Sequence, residues 1–159
     1  MLLKIIRDGE RLGCMKTFPA VLALLVTSLG STFAAAGWQT DYKAALAEAS
    51  KSDKLVLLDF TGSDWCGWCI KLDKETFSKP EFKKFAEKNL VTVEVDFPNN
   101  KPQSEALKKQ NAELQSKFGV DGYPTLVLVD GTGKEVARNV GYLAGGPEGF
   151  IAWVKNAKK

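Results

Sequence analysis

The chemistry in this chain is concentrated at Trp65-Cys66-Gly67-Trp68-Cys69. The pair follows a run that reads as a buried strand, Leu55 to Phe60, and a breaker, Thr61-Gly62-Ser63-Asp64, and it opens a helix. At a helix start, unfilled backbone N–H groups and the positive end of the dipole stabilise a thiolate. Only the thiolate attacks a disulfide efficiently, and it forms a mixed disulfide. A second thiol one helical turn along can displace the product, so Cys66 is assigned as the attacking thiol and Cys69 as the resolving thiol. Half a zinc site or a structural bridge would show the same spacing. No second ligand pair is present, however, and so small a loop constrains the unfolded chain rather little.

Composition removes most competing chemistry. The 159 residues contain no His, which excludes Ser-His-Asp and Cys-His catalysis, a His general base and His-containing metal sites. Three Cys cannot complete a four-thiolate zinc site, and two thiolates alone would leave copper or an iron–sulfur cluster undercoordinated. No metal is therefore expected. There is no Gly-rich dinucleotide fingerprint, so the chain cannot draw on NADPH itself. A content of 45% hydrophobic and 26% charged residues fits one folded domain.

The first 36 residues read as a secretory signal peptide. Lys16 precedes the apolar run Ala20 to Leu29, which leads to Ser31-Thr32-Phe33-Ala34-Ala35-Ala36, a charged start, short apolar core and small-residue exit. Met15 offers a second start site, and Cys14 falls in the discarded segment. The competing reading, an uncleaved anchor or buried helix, meets a run much shorter than the roughly 20 apolar residues a bilayer needs. Residues 37–159 form the expected mature domain, exported to the periplasm, where disulfides are permitted. Of 22 basic and 19 acidic residues, the leader holds four and two, leaving 18 and 17. A nearly neutral domain without a basic block gives no electrostatic case for nucleic acid.

These thiols need elements to hold them. Apolar spacing predicts a helix over Trp38 to Lys51, capped by Thr40 or Asp41, and a strand over Leu55 to Phe60. A helix follows through Cys69, Leu72 and Phe77, and another starts at Pro80. Leu90 to Asp96 is a β-branched strand, Phe97 to Gln103 a loop, and Ser104 to Phe118 a helix with Ala106, Leu107, Leu114 and Phe118 as its apolar positions. A third strand covers Thr125 to Asp130, and the Asp130-Gly131-Thr132-Gly133 turn returns it as Glu135 to Val140. Pro147 opens the last helix, with Phe150, Ile151 and Val154 inward. Alternating strands and helices predict parallel pairing, with an antiparallel edge added by the final hairpin. The expected fold is one α/β domain, a central mixed sheet flanked by helices.

Together, Asp59-Phe60, Trp65-Cys66-Gly67-Trp68-Cys69 and Gly122-Tyr123-Pro124-Thr125 resemble the thioredoxin-fold thiol–disulfide oxidoreductases. The run Phe60 to Cys66, the segment Val95-Asp96-Phe97-Pro98 and the leader are more specifically similar to exported DsbH-type proteins of the Dsb family. The resemblance covers nearly the whole mature chain. It implies a cis Tyr123–Pro124 bond facing the cysteines, where an ordinary trans-Pro starting a strand is the alternative. Such a turn would leave the Tyr123 backbone free to pair with an extended substrate. It also implies that Asp59 is a buried acid taking the proton of Cys69; a strand-end Asp capping the next loop is the competing role. Trp65 and Trp68 are candidates for an apolar docking rim, with core packing as the alternative for Trp68. Lys71 and Lys74 read as solvated charges, Lys71 adding positive potential near Cys69.

The chain departs from the thioredoxin pattern in two places. One extra residue separates Asp59 from Cys66, and the lysine often paired with that acid is replaced near Thr92. With no His between the cysteines, the disulfide is expected to be hard to reduce, which favours a reductase, or a reductase with isomerase ability. The resemblance implies disulfide-bearing substrate proteins, a DsbD-like membrane electron donor, a monomer, and no cofactor beyond the redox-active Cys66–Cys69 pair. A peptide-binding or chaperone module built on Trp65, Trp68 and Tyr123, and a dithiol oxidase, are the alternatives.

Overall fold

Leu55–Thr61 (β1) is apolar at almost every position because it is buried on both faces at the centre of the sheet. In the computed structural model, which describes residues 37–158, β1 is flanked by β2 (Leu90–Asp96) and β3 (Thr125–Val129). Strand β4 (Glu135–Val140) closes the order β2-β1-β3-β4. The leader assigned to residues 1–36, with Cys14 and Met15, lies outside the described residues.

Strand β2 pairs parallel to β1, while β3 and β4 are antiparallel to their neighbours. The expected parallel pairing therefore holds only for β1 and β2. Asp96 ends β2 opposite Thr61, and Thr125 begins β3 opposite Phe60. The connection between them thus returns to the end of the sheet it left, and a strand entering from that end must run antiparallel. Alternation of element types does not encode that choice.

Among the described residues five α-helices cover the sheet: α1 (Tyr42–Ser52), α2 (Gly67–Leu72), α3 (Pro80–Asn89), α4 (Glu105–Phe118) and α5 (Gly146–Ala157). Helix α1 starts later than its apolar spacing predicts. Trp38 and Gln39 are extended instead, and Gln39 bridges to Val93 through its N–H to the Thr92 carbonyl, 2.9 Å. Asp41, not Thr40, is the cap, accepting from the Ala44 N–H at 3.0 Å. Helix α2 continues as one π-helical turn, Asp73–Phe77, with the Ser78 N–H reaching back five residues to the Asp73 carbonyl. On α4 Leu114 and Phe118 face inward as expected, Asn111 joins them, and Ala106 is exposed. The Asn111 amide donates to the Asp96 carbonyl at 2.9 Å, which satisfies it in the interior.

Strand alternation sorts the interior into two layers. Val56, Leu58, Phe60, Val91, Val93, Val95, Val127 and Val129 pack under α1 and α4. Leu57, Leu90, Leu126 and Leu128 face the other way, meeting Leu72, Phe77, Phe82, Phe150 and Val154. Each fully buried side chain of this size contributes about 1.5–3 kcal/mol. The rigid centre so formed ends at Thr61, and the functional residues lie just beyond it.

Candidate active site

Cys66 and Cys69 form a disulfide. Cys66 is the N-cap of α2 in extended conformation, and its Sγ accepts the Cys69 backbone N–H at 3.2 Å. A donor and the helix dipole therefore converge on the sulfur assigned as nucleophile. Total exposure does not separate the two, at 7% for Cys66 and 5% for Cys69; the helix-end position does.

The loop carrying the extra residue is fastened on its far side. Asp96, buried at the end of β2, accepts from the Ser63 N–H at 2.8 Å and from its hydroxyl at 2.6 Å. Asp64 accepts from the backbone N–H groups of Asn99 and Asn100, which holds its carboxyl below the ordinary carboxylate range. Trp65 donates its indole N–H to the Phe97 carbonyl at 2.7 Å. The insertion is thus tied to the Phe97–Lys101 loop.

The Tyr123–Pro124 bond is cis, as the resemblance implies. Tyr123 stacks on Phe97, meets the edge of Trp65 with ring centres 5.8 Å apart, and receives a hydrogen bond from Gln115 at 2.8 Å. Trp68, Tyr123, Pro124, Gly141 and Tyr142 line a groove of about 320 Å³. Trp65 is 46% and Trp68 59% exposed, so Trp68 is not packed into the core. Lys71 lies over the rings of Trp68 and Tyr142, 5.2 and 4.9 Å from their centres.

Asp59 is 8% exposed, and its Oδ1 has no hydrogen-bond partner. Burial pushes its carboxyl well above the ordinary carboxylate range, and Glu94, Asp73 and Asp96 push it the same way. Its register partner on β2 is Glu94; Thr92 lies opposite Leu57. The charged groups that act on Asp59 are thus all acids.

The thioredoxin-like domain family matches residues 42–158. This chain belongs to the thioredoxin-like family. It is 44% identical to the disulfide bond reductase DsbH of Chlamydia pneumoniae over 127 residues, 79% of this chain and 76% of that protein. A solved DsbH oxidoreductase aligns at 41% identity with a TM-score of 0.71, covering 76% of this chain and 83% of that one. The C-terminal domain of DsbD from Neisseria meningitidis, in oxidised form, aligns at 26% identity with a TM-score of 0.53, over 72% and 91%. With its paired sulfurs, this thioredoxin-like chain is a thiol–disulfide oxidoreductase.

Several residues contribute to this thioredoxin-like site in roles that the sequence did not assign. Tyr142 completes the groove and donates to the Glu75 carboxylate. Asp96 fastens the insertion, and Gln115 holds the Tyr123 hydroxyl. Of these, only Asp96 carried a signal, since it lies in the Val95-Asp96-Phe97-Pro98 segment at the end of a β-branched strand. Among the described residues no helix is long and apolar enough to cross a membrane.

Proposed function

We propose that this chain is an exported reductase of protein disulfides, working in the periplasm as a monomer with no cofactor beyond its own Cys66–Cys69 pair. The observation that carries this reading is the Cys66 sulfur at the start of α2, receiving a backbone N–H, in the same site as cis Tyr123–Pro124. In the reduced protein the Cys66 thiolate attacks one sulfur of a substrate disulfide. A mixed disulfide forms, and the other substrate sulfur leaves as a thiolate that takes a proton from water. Asp59 accepts the proton of Cys69, whose sulfur then attacks Cys66 and expels the second substrate thiolate. Two electrons pass to the substrate, and the Cys66–Cys69 disulfide remains. The groove beside Trp68 and Tyr123 holds the substrate strand.

Regeneration needs two electrons from outside, and a DsbD-like membrane donor is the class of partner that supplies them. The Gly67-Trp68 dipeptide supports this direction, since it lacks the His that stabilises the reduced form of strong oxidants. Insulin reduction driven by dithiothreitol tests the activity: wild type is expected to turn over, and Cys66→Ala to be inactive. Equilibration with glutathione tests the direction. A potential near that of thioredoxin, about −270 mV, is expected, whereas one near DsbA, about −120 mV, contradicts it. Exposed Trp65 and Trp68 also favour a second reading, a peptide-binding module; it predicts peptide binding without turnover.

A further inference from the structure

Asp59 is largely buried, 8% exposed, and a proton it receives must leave before the next cycle. Its neighbours on the sheet identify the exit. On β3 its register partner is Leu126, fully buried and apolar. On β2 the partner is Glu94, and neighbouring strands lie about 4.8 Å apart, with registered side chains on one face. The same face carries Leu57 and Leu126, in the layer that includes Leu72 and Phe77, and toward its end Thr61 and Asp96. Asp59 presents an unpartnered Oδ1 there, while Glu94 is only half-buried. A carboxyl with one end in the interior and one toward water can accept a proton inside and release it outside.

We propose that Glu94 is the proton outlet of Asp59, acting through that residue rather than on the sulfurs. The inference rests on the reductase reading above. In the step concerned, Asp59 holds the proton taken from Cys69; the proton passes to the Glu94 carboxylate and then to water, and Asp59 returns to its ionised form. No electrons move. The charged groups facing Asp59 are Glu94 and Asp96 from β2 and Asp73 from the π-helical turn. Lys101 acts in the opposite sense on Glu94. Like charges so close make it costly for both carboxyls to be ionised, which lets one proton be shared between them.

The test is steady-state insulin reduction by the full chain across pH 5–9, comparing wild type, Glu94→Gln and Glu94→Asp. Glu94→Gln is expected to lose about tenfold in kcat with KM unchanged, a modest share of what positioned proton transfer contributes. Added formate should restore the rate, since a small carboxylate can stand in for the missing group, and Glu94→Asp should retain most activity. Wild-type kinetics in Glu94→Gln, or a loss that formate does not relieve, overturns the proposal. Carbon-detected NMR of the reduced wild type gives a reading independent of the variants. The Asp59 and Glu94 carboxyls should titrate in coupled steps, and independent titration overturns the proposal equally. If wild type itself fails to reduce insulin, the reductase reading falls. If wild type turns over and Asp59→Asn is slow while Glu94→Gln is normal, only the outlet falls.

Discussion

Asp59 is costly to the fold in the protonation state that the reaction needs. A carboxylate enclosed by Leu57, Leu126 and three further acids destabilises the native state once ionised. Its folded pKa lies above the unfolded value of about 3.9, so the native state binds the extra proton between the two values. Stability is full below the lower one and is lost as pH rises through the higher. Asp59→Asn keeps the shape of the neutral acid and cannot ionise. Its melting temperature is therefore expected to exceed wild type at pH 8, with the gap closing toward pH 3; equal melting curves at pH 8 would contradict the burial argument. The same variant should lose about a hundredfold in kcat, within the range for a general base, and accumulate mixed disulfide on Cys66. Gain in stability with loss of turnover separates a functional acid from a loop cap, which would lose stability. The sequence signal for this residue was an acid in an apolar run; its acidic surroundings depend on strand register and were not legible there.

The loop between β1 and α2 decides where Trp65 sits, and Gly62 decides whether it fits. A methyl group at Gly62 would lie 2.4 Å from Trp65 Cε2, so the indole has to move. That movement breaks the hydrogen bond to Phe97 and the edge contact with Tyr123. Gly62→Ala is expected to raise KM for insulin several-fold, with a smaller change in kcat and an altered tryptophan emission spectrum. An unchanged KM would mean that Trp65 does not shape the docking rim. Most elements behind this loop were readable from local pattern. Leu90–Asp96 and Glu135–Val140 fall where β-branching and turn chemistry put them, because strand burial and hairpin turns are local properties. The start of α1 was not, since Trp38 has helical spacing but the next residue, Gln39, is captured by the edge of β2. Nor was the π-helical turn after α2, or the placing of Asn111 inside and Ala106 outside, where the Asn111 amide meets the Asp96 carbonyl. Long-range hydrogen bonding overrides local spacing at Gln39 and at Asn111.

At the scale of the molecule, the open question is what happens at the two edges of a four-stranded sheet. Unpaired edge strands invite pairing with another chain unless something blunts them. Gln39 bonds to β2 on its outer side, with the Glu94 N–H donating to the Gln39 carbonyl at 2.9 Å. That edge is partly closed. On β4 the residues Val136, Arg138 and Val140 point outward, and both valines are exposed. Arg138 interrupts what would otherwise be an apolar row, and it is held in place by Glu135 at 2.8 Å and by the Phe118 carbonyl. An exposed ion pair of this kind adds little to stability, so its effect should be on association. The protein is expected to be monomeric by light scattering. Arg138→Val joins the two valines into an unbroken stripe on an edge strand, and its mass should rise with concentration while the melting temperature changes little. A wild-type dimer, or a variant that stays monomeric at every concentration where the protein dissolves, would show that the charge on this strand is not what keeps the chains apart.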